Sequence, residues 1–558
     1  MKKLENMLEH QLNEGQSVTY PDFESMWERI EHNTTTSFHA RMSSSNQKRG
    51  RNWSKIALVS SFSVVLAAAP VYAAVHYNWD TMLHGRGGIQ SVLAQNLGQK
   101  LDQSITKGGV TLKLHTAIVD ENRTVILFTL DVGQRQDNEI WRVNEMTLKG
   151  TEGANSSEAY NYLNWDEKNQ IYNGYFESEW TPKRDTVNVE LVADNLNAFS
   201  TQELDLPLDL HSQEKQKFPI GQDGMRSIEV KPFIQGQEKM LFSSAIIFDQ
   251  PEAKGWAYPN IVGYKNGTLI NSLPGGTFGT PGEKGEYTAQ QYFKAEDVSG
   301  GQMTYKLQYM KKEKDVNGPL SFDLQLSKKQ MESGTIKTSL NLPLEVGETD
   351  YTLENMIVSP TQIRVTVRSK DIDNSFPYKK YALEVAGKTL EGNLWRSPEG
   401  EPELTVLRFE RPVDLEITQE TPITFVAKYK VTQHGSYKIT NNNADKIPLL
   451  LTNISQKKQT IIQQLNGYPV KWTYYMQGSD LYVETGSEDA RFGGINQTHI
   501  GLGKERILGK PITVNFAGDG NNKAIDVYKD FKGTEATIYM FYYTTDDPDK
   551  ESRVQIQP

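Results

Sequence analysis

Apolar residues follow helical spacing in the N-terminal part of the chain and strand spacing in the remainder. Two amphipathic helices are predicted near the N-terminus, one by Leu4, Met7, Leu8 and Leu12 and one by Phe23, Met26, Trp27 and Ile30. The same spacing predicts a helix or stalk over residues 76–104, carried by Ile89, Val92, Leu93, Leu97 and Leu101.

Strand-type alternation begins at Val110, Leu112 and Leu114 and continues, after the turn signal "DENR", through Ile126, Phe128, Leu130 and Val132. The pattern "VTLKLHTAIVDENRTVILFTL" (110–130) recurs as "YTLENMIVSPTQIRVTV" (351–367) and "YPVKWTYYMQGSDLYVET" (468–485). Closing segments also repeat: "LDLPLDL" (204–210), "LNLPLEV" (340–346) and "KIPLLLT" (446–452). These repeats predict a mainly β protein with tandem immunoglobulin-like β-sandwiches, bounded at 105–215, 216–346, 347–453 and 454–558.

Between the two N-terminal helices and the stalk lies a run without charged or amide residues, from Ile56 to Val75. A helix of this length spans roughly the 30 Å hydrocarbon core of a bilayer. Basic residues flank its N-terminal side and aromatic residues lie at both edges: Lys48, Arg49, Arg51, Trp53, Lys55, Tyr77 and Trp79. The positive-inside rule then predicts one transmembrane helix at 56–75, with residues 1–55 cytoplasmic and the C-terminal body extracellular.

Two alternatives compete with a retained membrane anchor. Val71-Tyr72-Ala73 resembles a signal-peptide cleavage site, but the leader of 55 residues and the apolar run of 20 are both long for a signal peptide. A buried soluble helix is the other alternative, although such a helix is seldom apolar on every side over this length. We therefore expect an uncut anchor in the cell membrane.

The cytoplasmic segment is predicted to bind a protein partner through the apolar faces of its two helices. The helices could instead pack on each other or lie on the bilayer. A membrane-surface helix is rich in Lys and Arg, whereas the second helix carries Glu24, Glu28 and Glu31 against Arg29. Exposed aromatic residues on an amphipathic helix are typical of a segment that docks into a groove of a partner.

Composition excludes several classes of function. The chain has 60 Lys and Arg against 70 Asp and Glu, and an acidic body argues against direct nucleic-acid binding. Cysteine is absent, which excludes disulfides, thiolate metal sites and a cysteine nucleophile. Hydrolase, zinc-protease, Walker and dinucleotide motifs are also missing. We therefore predict no enzyme and no catalytic, cofactor or metal site.

Aromatic residues cluster in the last β-unit, and core packing is the first explanation of their alternation. A glycan- or peptide-binding face is the alternative. The residues concerned are Trp472, Tyr474, Tyr475, Tyr482, Tyr539, Phe541, Tyr542 and Tyr543.

The order of "YPDFESMWERIE" (20–31), a basic stop, one span and a β-rich body resembles membrane-anchored anti-sigma factors. More narrowly, the span with "KGGVTLKLHTAIVDENRTVILFTLDV" (107–132) resembles a domain of unknown function found in such proteins of Gram-positive bacteria. The resemblance implies that the partner is an extracytoplasmic-function sigma factor. The zinc-binding His-x3-Cys-x2-Cys motif of many anti-sigma factors is absent, since the chain has no Cys.

We therefore expect a single-pass membrane regulator that sequesters a cytoplasmic transcription factor and senses the envelope, or an envelope ligand, through its outer domains. An envelope-anchored protein that binds the cell wall or a glycan, without a regulatory role, is the alternative. An extracellular hydrolase is the third and weakest hypothesis.

Overall fold

The computed structural model describes residues 79–557 except 151–158, 213, 236–238, 282–285, 299, 346, 348–349, 371–375, 396–400, 436–447, 503–505 and 514–521. The two predicted N-terminal helices, the basic flank and the predicted span 56–75 lie outside the described residues. In the part of the chain that is described, no helix has the length and apolar character needed to cross a bilayer. The body is mainly β, as predicted, and its sheets are consistent with β-sandwiches.

The predicted stalk begins with two short helices, α1 (Trp79–Met82) and α2 (Gly87–Ala94). Helix α2 ends in a Schellman motif: Asn96 adopts a left-handed φ of 55°, and the Leu97 amide donates to the Val92 carbonyl at 3.1 Å. The helical spacing of the apolar residues continues to Leu101, but this motif stops the helix and the chain enters a strand at Gln99. The stalk is therefore only partly helical.

Seven strands follow: β1 (Gln99–Lys107), β2 (Val110–Val119), β3 (Thr124–Asp131), β4 (Glu139–Gly150), β5 (Ala159–Asp166), β6 (Ile171–Ser178) and β7 (Thr186–Leu206). One sheet has the order β1-β2-β3-β6-β5, and β4 pairs with β7 in a second sheet. The apolar faces of the two sheets enclose a first core, in which the predicted alternation of Leu112, Leu114, Ile126 and Phe128 is buried.

The next strands are β8 (Gln216–Gln222), β9 (Met225–Gln235), β10 (Lys239–Phe248), β11 (Asn260–Lys265), β12 (Thr268–Ile270), β13 (Leu273–Pro281), β14 (Tyr287–Lys294), β15 (Met303–Val316) and β16 (Leu320–Ser327). A 3₁₀ helix (Pro251–Gly255) and helix α3 (Ala295–Val298) lie among them. Strands β8–β10, β13 and β14 form one sheet, and β11, β12 and β15 extend the sheet of β7. Between these sheets lies a second core that includes Phe242, Phe293 and Leu307.

Strand β16 does not belong to the second core. It pairs with β7 over 186–193, and its apolar residues Leu320, Phe322, Leu324 and Leu326 complete the first core. The second core is thus inserted into the first, between β7 and β16. The sequence analysis divides the body into consecutive units, whereas the cores are nested.

After a 3₁₀ helix (Lys329–Gly334), the third core is built from β17 (Ile336–Pro343), β18 (Tyr351–Val358), β19 (Gln362–Ser369), β20 (Tyr378–Val385), β21 (Lys388–Trp395), β22 (Leu404–Glu410) and β23 (Ile423–Gly435). These strands belong to one sheet with the order β17-β18-β19-β22-β21-β20-β23-β34-β28. Its first four strands repeat the pattern of β1-β2-β3-β6 in the first sheet.

The last strands are β24 (Leu449–Leu451), β25 (Gln459–Leu465), β26 (Tyr468–Gln477), β27 (Asp480–Gly486), β28 (Phe492–Ile495), β29 (Thr498–Ile500), β30 (Ile507–Leu508), β31 (Lys510–Thr513), β32 (Ala524–Tyr528), β33 (Ala536–Met540) and β34 (Tyr542–Gln557). Two sheets, β24-β33-β29-β30 and β25-β26-β27-β32-β31, enclose a fourth core around Trp472. The chain returns along β34 to pair with β23, so the fourth core is inserted into the third.

The aromatic cluster of the last unit contributes mainly to packing. Trp472, Tyr474 and Tyr543 are buried in the fourth core, as expected if their alternation reflects core packing. Tyr539 and Phe541 pack on the buried imidazole of His499, at ring-centroid distances of 5.5 and 4.9 Å. Tyr475 and Tyr482 stack on each other outside that core.

Candidate functional site at the junction of two hairpin turns

The turn between β2 and β3, "DENR", is held by its first side chain. The Asp120 carboxylate accepts hydrogen bonds from the amides of Asn122 and Arg123 at 2.8 and 3.0 Å, and the Asp120 amide donates to the Arg123 carbonyl. Side chains of this kind stabilise turns by satisfying backbone donors locally. Turns normally face water, yet Asp120, Asn122 and Arg123 are buried. Another part of the chain must therefore cover this turn.

The covering segment is the turn between β18 and β19, residues 359–362, which occupies the same place in the third core as "DENR" does in the first. The Asp120 carboxylate accepts from the Thr361 hydroxyl at 2.6 Å, and the Asn122 side-chain amide donates to the Gln362 carbonyl at 2.9 Å. Ser359 and Thr361 are themselves buried. The two hairpins that share a sequence pattern thus meet at their turns.

Arg123 lies at the centre of this contact with its side chain 0% exposed. Its guanidinium donates two parallel bonds to the Glu410 carboxylate, at 2.8 and 2.9 Å, and one to Glu177 at 3.2 Å. Its remaining donors reach the hydroxyl and the carbonyl of Thr361, both at 2.9 Å. All five N–H donors of this guanidinium are therefore used, and the paired carboxylates compensate its burial.

A second arginine brings the stalk into the same network. Arg86, just before α2, donates to Glu177 and to the hydroxyl of Tyr160, and its guanidinium lies 3.5 Å from Glu410. Tyr160 in turn donates to Glu177 at 2.6 Å. We name the set of Arg86, Arg123, Tyr160, Glu177, Thr361 and Glu410 the Arg123 junction.

Two glycines after Arg86 allow the close approach. A Cβ atom on Gly87 would lie 2.7 Å from the Arg411 carbonyl oxygen, and one on Gly88 would lie 2.1 Å from that of Thr361. Neither position has room for a side chain. The beginning of α2 therefore packs directly on the backbone of the third core.

The charges of the Arg123 junction stabilise one another. Burial alone would raise the pKa of the Glu177 carboxyl, but Arg123 and Arg86 outweigh it and hold this pKa below its usual value. Burial likewise opposes the charged form of Arg123, but Glu410 and Glu177 raise its pKa. The junction is therefore a hydrogen-bonded network of opposite charges, suited to fixing the first and third cores together.

Among the residues predicted as membrane-orienting, only Trp79 is described, and its position differs from the expected membrane edge. Its side chain is 2% exposed and packs with Leu83, Ile118 and Leu127 in a small core beneath α1 and α2. Its ring lies edge-on to His115 at 5.9 Å. The helical spacing of Leu83, Ile89 and Val92 is satisfied by this protein core, which also takes up Trp79. The other predicted membrane-orienting residues and all predicted partner-binding residues lie outside the described residues.

Sequence reasoning missed Arg123, Glu177 and Glu410, because a charged turn is usually solvated and the two glutamates lie in unremarkable strands. The available signal was the repeat of "VTLKLHTAIVDENRTVILFTL" in residues 351–367, which marks equivalent hairpins. In the part of the chain that the structure describes, no group of His, Asp and Glu is arranged to hold a metal ion.

Residues 48–131 match a protein family described as "Domain of unknown function (DUF4179)". This match contains the predicted span, α1, α2, β1–β3 and the turn that carries Arg123. No curated protein matches the chain. Among solved structures, the chain is similar to "The crystal structure of the conserved domain protein from Bacillus anthracis", with 12% identity and a TM-score of 0.16 over 56% of this chain and 89% of that one. The comparisons thus identify a domain of unknown function in residues 48–131.

Proposed function

We propose that the protein is a single-pass membrane regulator similar to anti-sigma factors. Its segment 1–55 holds a cytoplasmic transcription factor, an extracytoplasmic-function sigma factor, and its nested immunoglobulin-like sandwiches sense the cell envelope. The observation that carries this proposal is the Arg123 junction, which ties the segment after the predicted span to both the first and the third core.

The position of the junction along the chain supports a signalling role. Only residues 76–78 separate the predicted span, which ends at Val75, from the buried Trp79. Three residues reach at most roughly 11 Å. A movement of the body that displaces α1 and α2 would therefore also displace the end of the predicted span. A long flexible stalk would not transmit such a displacement.

The matched family supports the same connection. The match at 48–131 contains the predicted span and the "DENR" turn in one unit. A domain that only anchors a protein in the membrane would need no more than the span and a linker. The matched segment also includes the "DENR" turn, which contacts the third core.

The proposed binding of a cytoplasmic partner depends on the two predicted amphipathic helices. The spacing of Phe23, Met26, Trp27 and Ile30 predicts one apolar face, and such a face suits docking into a groove of a partner. The test is cross-linking and affinity purification of the full-length chain from its native host. We expect a sigma factor to co-purify with the wild type and to be lost with Trp27→Glu.

The matched control is Glu24→Gln, on the polar side of the same predicted helix, which should retain the partner. A reporter for the released sigma factor should rise with Trp27→Glu and stay low with Glu24→Gln. If abundant wild-type protein recovers no sigma factor or other transcription regulator, the proposal is wrong.

A further inference from the structure

A chain of contacts between aromatic rings and cationic groups links two surface cavities of the body. The Arg142 guanidinium lies 5.1 Å from the ring centroid of Tyr258 and 5.8 Å from that of Phe199. Phe199 packs on Trp256 at 6.1 Å, and the Lys312 ammonium lies 5.8 Å from the Trp256 ring. We call Tyr162, Arg142, Tyr258, Trp256 and Lys312, with the cavities at either end, the Arg142 groove.

The ring of Tyr258 is held outward by its backbone. Tyr258 has a φ of 42°, which is rare for a bulky residue, and its side chain is 48% exposed. Its neighbours Ala257 and Pro259 are buried, and the Ala257 carbonyl accepts from the Met310 amide at 2.7 Å. Because both neighbours are fixed, this aromatic ring cannot turn into the core. Strained residues of this kind are concentrated at functional sites.

Arg142 has donors to offer a ligand. Within the described residues no carboxylate lies within ion-pair distance of its guanidinium, which is held instead by the two aromatic faces. A guanidinium carries five N–H donors in a planar fork that matches a carboxylate. A ligand carboxylate would therefore complete the coordination of Arg142.

The first cavity, of about 600 Å³, has the lining that such a ligand requires. It lies between β4 and β5 and is lined by Arg142, the amides of Asn144 and Asn161, and the rings of Tyr160 and Tyr162. Among the described residues that line it, none is acidic. The volume is within the range of small-molecule sites, and the few polar groups are placed among aromatic faces.

The edges of β4 and β5 disfavour a peptide that would bind as an added strand. The Asn161 side-chain amide donates to the Val143 carbonyl of β4 at 2.9 Å, so β5 already lies against this edge. Recognition here depends on rings, amides and a guanidinium. Sugar rings stack on aromatic faces through their C–H groups, and their hydroxyls pair with amides, so these groups suit a carbohydrate.

The second cavity, of about 460 Å³, lies at the Trp256 end of this chain of contacts. It is lined by Trp256 and Lys312 and by the carboxylates of Asp223 and Glu252, which can accept from sugar hydroxyls. Both cavities are partly open to solvent.

We propose that the Arg142 groove binds an extended glycan that bears carboxylate groups, with one carboxylate on Arg142 and pyranose rings on Tyr258 and Tyr162. The site lies in the body and does not depend on the proposed cytoplasmic role of residues 1–55.

The test is isothermal titration calorimetry of the full-length protein, which measures the affinity of each ligand. The ligands are hexagalacturonate, its methyl ester, neutral chitohexaose and hexaglutamate. We expect hexagalacturonate to bind and its methyl ester to bind at least tenfold more weakly, because esterification removes the charge that Arg142 recognises. Arg142→Gln should weaken hexagalacturonate binding at least tenfold, and Tyr258→Ala should weaken binding of both the acid and the ester.

The matched control is Tyr264→Ala, which removes a half-buried ring that contacts a cation, Lys306, and that lines neither cavity. It should leave binding unchanged. The proposal is overturned if hexagalacturonate does not bind, if it binds equally to wild type and Arg142→Gln, or if hexaglutamate alone binds. Equal binding of the acid and neutral chitohexaose would overturn the assignment of the carboxylate.

Discussion

Glu177 and Glu410 lie in two different sheets, and the guanidinium of Arg123 binds both carboxylates. Glu177 lies on β6 opposite Val125 of β3, and Glu410 lies on β22 opposite Gln362 of β19. In each sheet the glutamate is next to the second strand of the hairpin whose turn enters the junction. One arginine from the turn of the first hairpin therefore binds an acidic residue in the sheet of each hairpin.

Replacing Arg123 should destabilise the body strongly. Arg123→Gln leaves Glu177 and Glu410 close together without the guanidinium that binds both of them. Removing one partner of a buried ion pair typically lowers the free energy of unfolding by about 3–5 kcal/mol. Urea unfolding of wild type and variant measures the difference. The exposed Arg553, which pairs with Glu384 and Glu551, supplies the control: Arg553→Gln should change stability by less than about 1 kcal/mol. Equal effects of the two variants would contradict the role given to Arg123.

Gly88 should not tolerate even a methyl group. Because the added Cβ of Gly88→Ala would lie 2.1 Å from the Thr361 carbonyl oxygen, α2 must move away from the third core. Overpacking of this kind lowers the free energy of unfolding by about 1–3 kcal/mol. Gly255→Ala is the matched control, because nothing lies within 4 Å of its added Cβ. Thermal unfolding should separate the two variants, and a Gly88→Ala protein as stable as Gly255→Ala would show that the contact is looser than the structure gives it.

The first core should lose stability in mild acid through His115. Burial, with a smaller contribution from Lys113, lowers the pKa of His115 to about 4, whereas its ordinary value is 6.5. Between these values the unfolded chain binds more protons than the folded one, so stability falls as the pH falls from 7 to 5, by about 2 kcal/mol. Unfolding of wild type and His115→Gln at both pH values tests this. His115→Gln should lose the dependence, whereas His211→Gln, at an exposed position, should keep it.

Asp526 should give the fourth core the opposite dependence. Burial, opposed by hydrogen bonds from Thr498, raises the pKa of the Asp526 carboxyl to about 6 from its ordinary 3.8. The folded state therefore binds more protons between these values, and the stabilisation is lost as the pH rises from 5 to 7, by about 1 kcal/mol. Asp526→Asn should remove this dependence and the exposed Asp549→Asn should not. The same pH dependence in all three proteins would assign it to other groups.

Ligand binding in the Arg142 groove should reduce the local flexibility of the segment that contains α2. Tyr160 lines the first cavity and also bonds Arg86 and Glu177 through its hydroxyl. We expect hexagalacturonate to slow amide hydrogen exchange in residues 86–97. Tyr160→Phe should still bind the oligosaccharide but lose this protection, because the ring remains and the hydroxyl is gone. Identical protection in wild type and Tyr160→Phe would exclude this route.

The sequence was most informative where one periodicity determines one buried face. Leu112, Leu114, Ile126 and Phe128 alternate in the sequence and are all buried in the first core. Alternation shows which side of a strand is buried, but not which sheet the strand joins. The alternating residues of β16 therefore could not reveal that this strand pairs with β7, because the pairing depends on contacts across more than a hundred residues.

The candidate site was hidden for a related reason. Asp120 and Arg123 in "DENR" have the composition of a solvated turn, and they become buried only because a second turn, about 240 residues later in the chain, covers them. Trp79 illustrates the same limitation. An aromatic residue beside an apolar run is typical of a membrane interface, but α1 places this indole against Ile118 and Leu127.

Nesting of the cores has a consequence for biosynthesis. A ribosome adds about 5–20 residues per second, so on the order of 10 s separate the emergence of β7 from that of β16. During that interval the long strand β7 lacks one neighbour along 186–193, and its apolar residues must be shielded by something else. Folding of this body should therefore rely on a chaperone that shields the incomplete sheet, and a fragment truncated before Leu320 should aggregate even though the strands between β7 and β16 are present.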